Sequence, residues 1–245
     1  QYADLEAWDG TILKARNIIG AYKPESKKRV MLCAHWDSRP YADYDADEKN
    51  HKKPIDGAND GASGVGVLLE IARQIQKQAP TVGIDIIFFD AEDYGTPAWH
   101  RGTYKPHDWC LGSQYWGRTP HVQGYFARYG ILLDMVGGKG GTFYYEPYSY
   151  RTARKEVKKI WEKAHELGYG SYFVKQEGSE VTDDHVYVNQ LARIPCVDII
   201  NYDPVYENSS FGPTWHTVND NISNIDRNTL KAVGQTVMDV IYNEK

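Results

Sequence analysis

Apolar and polar positions recur along this chain with two different periods. "DLEAWDGTILKARNII" alternates in two runs split by Asp9-Gly10, a dipeptide suited to the left-handed positions of a tight turn, and predicts a β-hairpin. "KKRVMLCAHWD", "VGIDIIFFD", "RYGILLDMVG", "GTFYYEP" and "IPCVDIINYD" are short apolar runs and predict strands. The near-continuous apolarity of "VGIDIIFFD" predicts a central strand covered on both faces. "SGVGVLLEIARQIQKQ" changes to helical spacing. "SYRTARKEVKKIWEKAHELGYG" predicts a helix closed by Gly168, and "DDHVYVNQLAR" a short helix capped by an acid. "NIDRNTLKAVGQTVMDVIYNEK" predicts a terminal helix. Residues 37–60 are polar and predict a long loop, a feature that often carries function. Residues 94–109 also read as loop. Strands alternate with helices, so the expected fold class is α/β: a three-layer sandwich around a mixed, mostly parallel sheet.

Composition narrows the function. The 245 residues are 41% hydrophobic and 25% charged, enough for one large α/β domain or two small ones. No repeat, low-complexity tract or linker divides them, so one domain over residues 1–245 is expected. A net charge of −5 gives no basic footprint for nucleic acid. No apolar run approaches the roughly 18 residues of a membrane span. The 19 Tyr and 7 Trp fit either ordinary packing or an aromatic-walled pocket. Cys33, Cys110 and Cys196 form no CxxC pair, which argues against thiolate zinc and leaves their pairing and the redox compartment open. The chain starts at Gln1 and shows no signal peptide.

The chemistry gathers at predicted strand ends. In open α/β sheets, sites form beyond the carboxyl ends of the strands. "MLCAHWD" delivers His35 and Asp37 there, "IIFFDAED" delivers Asp90, Glu92 and Asp93, and "ILLDMVG" delivers Asp134. Asp60 precedes a helix, and His216 lies in a late loop. A single such acid is usually a turn or helix cap, and Asp60 could cap the helix that follows it. Asp90 is read as orienting its turn. His51, His100, His107, His121 and His165 are read as surface or structural. Together, carboxylates and imidazoles without thiolates suit a divalent ion such as Zn²⁺. Several carboxylates buried together are costly without a cation. The adjacent pair Glu92-Asp93 can split its tasks, one acid on a metal and the other acting as a base.

"AHWDS", "GANDGASG", "FFDAED", "LLDMVG" and "WHTVNDN", in this order, resemble the zinc-exopeptidase family. That family includes zinc aminopeptidases and the zinc-dependent glutaminyl cyclases of animals and bacteria. The aminopeptidase pattern of two metals is matched by His35, Asp60, Glu92, Asp93, Asp134 and His216, so counting ligands does not separate the branches. "SSFGPTWHTVNDNISNID", "VTDDHVYV", "HWDSRPYAD" and the Asp at position 93 resemble the bacterial cyclases most. That resemblance implies one zinc per chain on Asp60, Asp93 and His216. It implies Glu92 as the proton shuttle, with Asp183 and Asp134 sharing a proton beside it. It further implies Trp215, Phe211 and Trp99 as pocket walls, with Asp37 orienting His35. The reaction implied is cyclisation of N-terminal glutamine in peptides or proteins to pyroglutamate with release of ammonia. The alternatives are a two-zinc aminopeptidase and a non-catalytic relative. The resemblance also implies helical sequence ahead of the hairpin, which this chain lacks, and a periplasmic or secreted location.

Overall fold

The computed structural model describes residues 1–207 and 209–245. Asp9 and Gly10 turn β1 (Tyr2–Glu6) back onto β2 (Ile12–Arg16) in an antiparallel pair, with Gly10 at φ 84°. The alternation continues one strand further than the sequence suggests. After Asn17 the chain enters β3 (Ile18–Tyr22), which leaves the hairpin and joins the main sheet.

The main sheet also contains β4 (Arg29–His35), β5 (Gly83–Phe89), β6 (Gly130–Asp134) and β9 (Cys196–Ile200), in the order β3-β5-β4-β6-β9. Only β3 runs antiparallel. The four parallel strands are buried along their whole length, as the unbroken apolar runs require. A separate parallel pair joins β7 (Phe143–Tyr145) to β8 (Phe173–Glu177).

Alternation within each strand sorts side chains to two layers. Val30, Leu32, Ile84, Ile86, Ile131, Leu133, Val197 and Ile199 face one side. They pack on α1 (Ala62–Lys77), α4 (Arg154–Glu166) and α6 (Arg227–Tyr242) through residues such as Leu68, Ile71, Trp161, Val233 and Val237. Each such apolar side chain contributes about 1.5–3 kcal/mol by leaving water. Met31, Cys33, Ile87, Phe89, Leu132 and Cys196 face the other side, where α2 (Leu111–Arg118) supplies Trp116 and α5 (Asp184–Leu191) supplies Val188. The expected three layers are present.

The expected helix from residue 149 to 168 is two helices, α3 (Pro147–Thr152) and α4, separated at Ala153 (φ −134°, ψ 37°). Gly168 lies just past the second at φ 85°, where Tyr169 N–H returns to Ala164 O. All three cysteines are free and buried. Among the described residues, no helix is long and apolar enough to cross a membrane.

Candidate active site

The four parallel strands end together, with His35 level with Phe89 and Asp134 level with Ile200. The turns that leave these ends surround a cavity of about 560 Å³. Its lining includes Asp60, Glu92, Asp93, Asp134, Asp183, Phe211, Trp215 and His216. Eight of the nine expected site residues therefore meet in one cavity.

Trp99 is the exception. Its ring packs on Tyr41 at 5.0 Å and stacks on His51 at 6.3 Å, in the loop beyond Asp43. It is not part of the cavity lining. Trp109 holds the wall instead, and its ring lies parallel to His216 at 6.0 Å. Trp215 covers His216 at 3.8 Å and meets Phe211 at 4.9 Å. The imidazole is thus stacked against two indoles.

Two acids hold the turns that carry the candidate ligands. Asp37 accepts hydrogen bonds from the N–H groups of Glu92 (3.1 Å) and Asp93 (3.0 Å). Its Oδ1 also lies 3.4 Å from His35 Nδ1, so it orients two elements rather than one. Asp220 does the same for the N–H groups of Asn59 (2.8 Å) and Asp60 (3.0 Å). Asp60 does not cap α1. The residue before that helix is Gly61, at φ 90°, and it makes no side-chain cap. A Cβ at Gly61 would lie 2.9 Å from His35 Cε1, so only glycine lets the turn pass the imidazole. Asp90 stays outside the cavity lining and accepts from Arg16 N–H (2.6 Å) and Ala91 N–H (2.9 Å), tying the strand end to the hairpin.

Asp60, Asp93 and His216 form one group of possible ligands, and His35, Asp60 and Asp134 form a second. The two differ in how their atoms are occupied. In the second group, His35 Nε2 lies 3.1 Å from Asp60 Oδ1 and 3.2 Å from Asp134 Oδ1, so one N–H serves both carboxylates. In the first, among the described residues, Asp60 Oδ2 and both oxygens of Asp93 are buried and accept no hydrogen bond. His216 Nε2 sits 3.1 Å from Asp93 Oδ1 and 3.5 Å from Asp60 Oδ2. Three buried oxygens without donors, facing an imidazole nitrogen, are a donor set suited to zinc. Behind it, His216 Nδ1 faces Asp43 at 3.5 Å, and Asp43 is gripped by the buried guanidinium of Arg39 at 2.9 and 2.7 Å. A carboxylate behind a histidine fixes its tautomer and ring orientation.

Burial and crowding dominate the acidities. Burial pushes Asp93 up to about 6, helped by the charge of Asp60. Burial likewise holds Glu92 well above the ordinary carboxyl range, and Asp93 and Asp183 add to the rise against the opposing His35. Asp183 is raised well above its usual value by burial and then by Asp134, the pattern of two acids that cannot both ionise cheaply. Asp134 is itself raised by burial. For Asp60 burial acts upward, but His35, His216 and Arg39 together bring it below the normal value.

Several of these positions carry backbone strain. Ala91 (φ 53°), Cys110 (φ 57°), Met135 (φ 49°) and His216 (φ 53°) are non-glycine residues in the left-handed region, and all lie at the site. Such conformations cost about 1–3 kcal/mol each and collect where geometry matters more than comfort.

This architecture matches known proteins along its length. The profile of peptidase family M28 covers residues 17–241. The chain belongs to peptidase family M28. Among solved M28-like structures, Bacteroides thetaiotaomicron glutaminyl cyclase bound to N-acetylhistamine is 64% identical with a TM-score of 0.97, and the match covers 100% of this chain and 83% of that one. A leucine aminopeptidase precursor from the same organism is 63% identical with a TM-score of 0.96, covering 100% of this chain and 82% of that one. Bovine glutaminyl-peptide cyclotransferase is 28% identical over 87% of this chain, which spans 62% of the bovine protein's length.

Some residues at or beside the cavity were not evident from sequence. Trp109 and Cys110 close the loop that returns to α2, and that loop has no periodic pattern to single them out. His107, expected to be a surface or structural residue, is exposed and also lines the cavity, 3.1 Å from the hydroxyl of Tyr187. His185 is fully buried between Glu146 (3.1 Å) and Asp198 (3.4 Å), and its position beside two aspartates at a helix start was the available signal.

Proposed function

We propose that this M28 domain, one catalytic unit over residues 1–245, cyclises the N-terminal glutamine of peptides or proteins to pyroglutamate, releasing ammonia. The likeness to the B. thetaiotaomicron glutaminyl cyclase supports the reaction. The observation that carries the one-zinc form is the contrast between the two ligand groups. Of these two groups, among the described residues, the one formed by Asp60, Asp93 and His216 holds three donor-free oxygens, while His35 already serves Asp60 and Asp134 in the other. A zinc ion held by Asp60, Asp93 and His216 would supply Lewis-acid polarisation of the glutamine γ-carbonyl.

The remaining steps belong to side chains. Phe211, Trp215 and Trp109 hold the glutamine side chain folded toward its own amine and exclude water, which favours ring closure over hydrolysis. Glu92 accepts a proton from the α-amine as that nitrogen bonds to the amide carbon. It then returns the proton to the side-chain nitrogen as the carbon–nitrogen bond breaks and ammonia leaves. Asp183 and Asp134, with one proton between them, donate a hydrogen bond toward the developing charge. The same likeness to cyclases underlies a proposed periplasmic or secreted location.

A second reading has specific support. The leucine aminopeptidase precursor is as similar as the cyclase, and His35, Asp60 and Asp134 could hold a second ion. A peptide beginning Gln-Leu separates the two. Loss of one ammonia with a blocked terminus is the expected product by mass spectrometry, with one zinc per chain by metal analysis. Release of free glutamine, with two zinc ions per chain, would establish the aminopeptidase.

A further inference from the structure

A buried cysteine is ordinarily a small apolar packing residue. Cys110 has a more specific setting. Its Sγ lies 3.1 Å from Glu92 Oε1, and among the described residues this thiol is the only hydrogen-bond donor to the Glu92 side chain. We propose that Cys110 is a positioning residue for Glu92, its S–H holding Oε1 so that Oε2 is presented to the substrate amine. The proposal rests on the reading of Glu92 as the proton shuttle.

The backbone explains why the thiol has no other place to go. Cys110 N–H donates to Glu92 O at 2.9 Å, and Leu111 N–H donates to Ala91 O at 2.9 Å. The chain segment carrying the thiol is therefore fastened to the segment carrying the carboxylate. Cys110 stands at φ 57°, ψ 35° immediately before α2, and its own carbonyl accepts from Ser113 Oγ (3.1 Å) and Gln114 N–H (3.0 Å). Both faces of its peptide are committed. Gly112 presses the same turn onto the strand end, where a Cβ would lie 2.1 Å from Asp90 O. The left-handed turn then aims the side chain at Glu92 by default.

A thiol suits the task chemically. It is a weak donor and a weak acceptor. It restrains one carboxylate oxygen without competing for the other or for the transferred proton. Burial, with the nearby Glu92 charge, pushes the thiol's pKa well above normal, so it keeps its hydrogen. Asp183 is the third member of this cluster, with a carboxylate oxygen within 4.8 Å of both residues. Glu92 thus has as neighbours a thiol that keeps its proton and a second buried carboxyl.

The test compares Cys110→Ala and Cys110→Ser with the intact protein, reading kcat, KM, zinc content and thermal stability. Cys110→Ala should lower kcat about five- to tenfold, the scale of one weak donor to a charged group, with KM and zinc unchanged. Cys110→Ser should recover kcat to within about threefold, although a buried hydroxyl is a poorer packing residue than alanine. Activity and stability then rank the variants in opposite orders, which a packing role does not produce. Equal kcat in all three proteins, or kcat that follows stability, overturns the proposal. The series is read on whichever product the intact protein makes. The product's identity therefore tests the cyclase reading, and the ranking tests Cys110. An activity-free measurement completes it. The infrared S–H band that vanishes in Cys110→Ala should move to higher frequency in Glu92→Gln, and an unmoved band also overturns the proposal.

Discussion

Glu92→Gln is expected to lower kcat for cyclisation by about 10²–10⁴-fold, the range of a single general acid–base group. The amide keeps the shape and the contact with Cys110 but cannot take a proton from the substrate amine. Because Asp37 holds the backbone of residues 92 and 93 through their N–H groups, the substitution leaves the turn in place. Zinc content should stay at the intact value, since Glu92 lies outside the Asp60–Asp93–His216 group. KM should change little. Steady-state kinetics and metal analysis on the same preparation check this together. Retention of more than about a tenth of kcat would remove Glu92 from the proton-shuttle role. Loss of zinc along with activity would instead make it a ligand.

Removal of the metal is expected to abolish activity and to lower Tm by an amount that depends on pH. Buried acids set that dependence. Asp93 is pushed up to about 6 by burial and by Asp60, and Asp220 to about 6 by burial and by Asp60. In the unfolded chain such carboxyls titrate near ~4. Between those values the native state holds protons that the unfolded chain has released, so metal-free stability falls as pH rises from about 4 to about 6. Above that it stays low, by about 3 kcal/mol for a carboxyl held roughly two pH units high. A zinc ion bound by Asp60, Asp93 and His216 would take the place of the proton on Asp93, so its contribution would grow over the same interval. Chelation should therefore lower Tm by about 10 °C at pH 7.5 and by much less at pH 5. Readdition of zinc should restore both Tm and turnover. A Tm gap of equal size at the two pH values would place the ion away from Asp93.

What could be read from the chain divides along physical lines. β4, β5, β6 and β9 were visible because a strand buried on both faces must be apolar throughout. The acids at their ends were visible because they interrupt those runs abruptly. β8 was not visible, since only Phe173 of its five residues is buried. α2 was hidden by its two glycines and by a start set at left-handed Cys110 rather than by a capping side chain. The periodicity from Ser149 to Gly168 is continuous, so nothing in it marks the break at Ala153. Trp99 and Trp109 belong to one aperiodic loop, and only its path shows which indole turns inward. Composition announces that aromatic rings are present but not where a loop carries them.

The clamps on the candidate ligand turns join distant parts of the chain. Asp220 reaches Asp60 across 160 residues, and His35 meets Asp134 across 99. A segment that ends before Asp220 cannot hold the Asp60 turn in its final place. Closing such long loops is the slow step of a parallel sheet. A cation thus meets its ligands only after the barrier has been crossed. Its free energy accrues to the native side alone, lengthening the lifetime of the folded molecule while leaving the rate of its formation almost untouched.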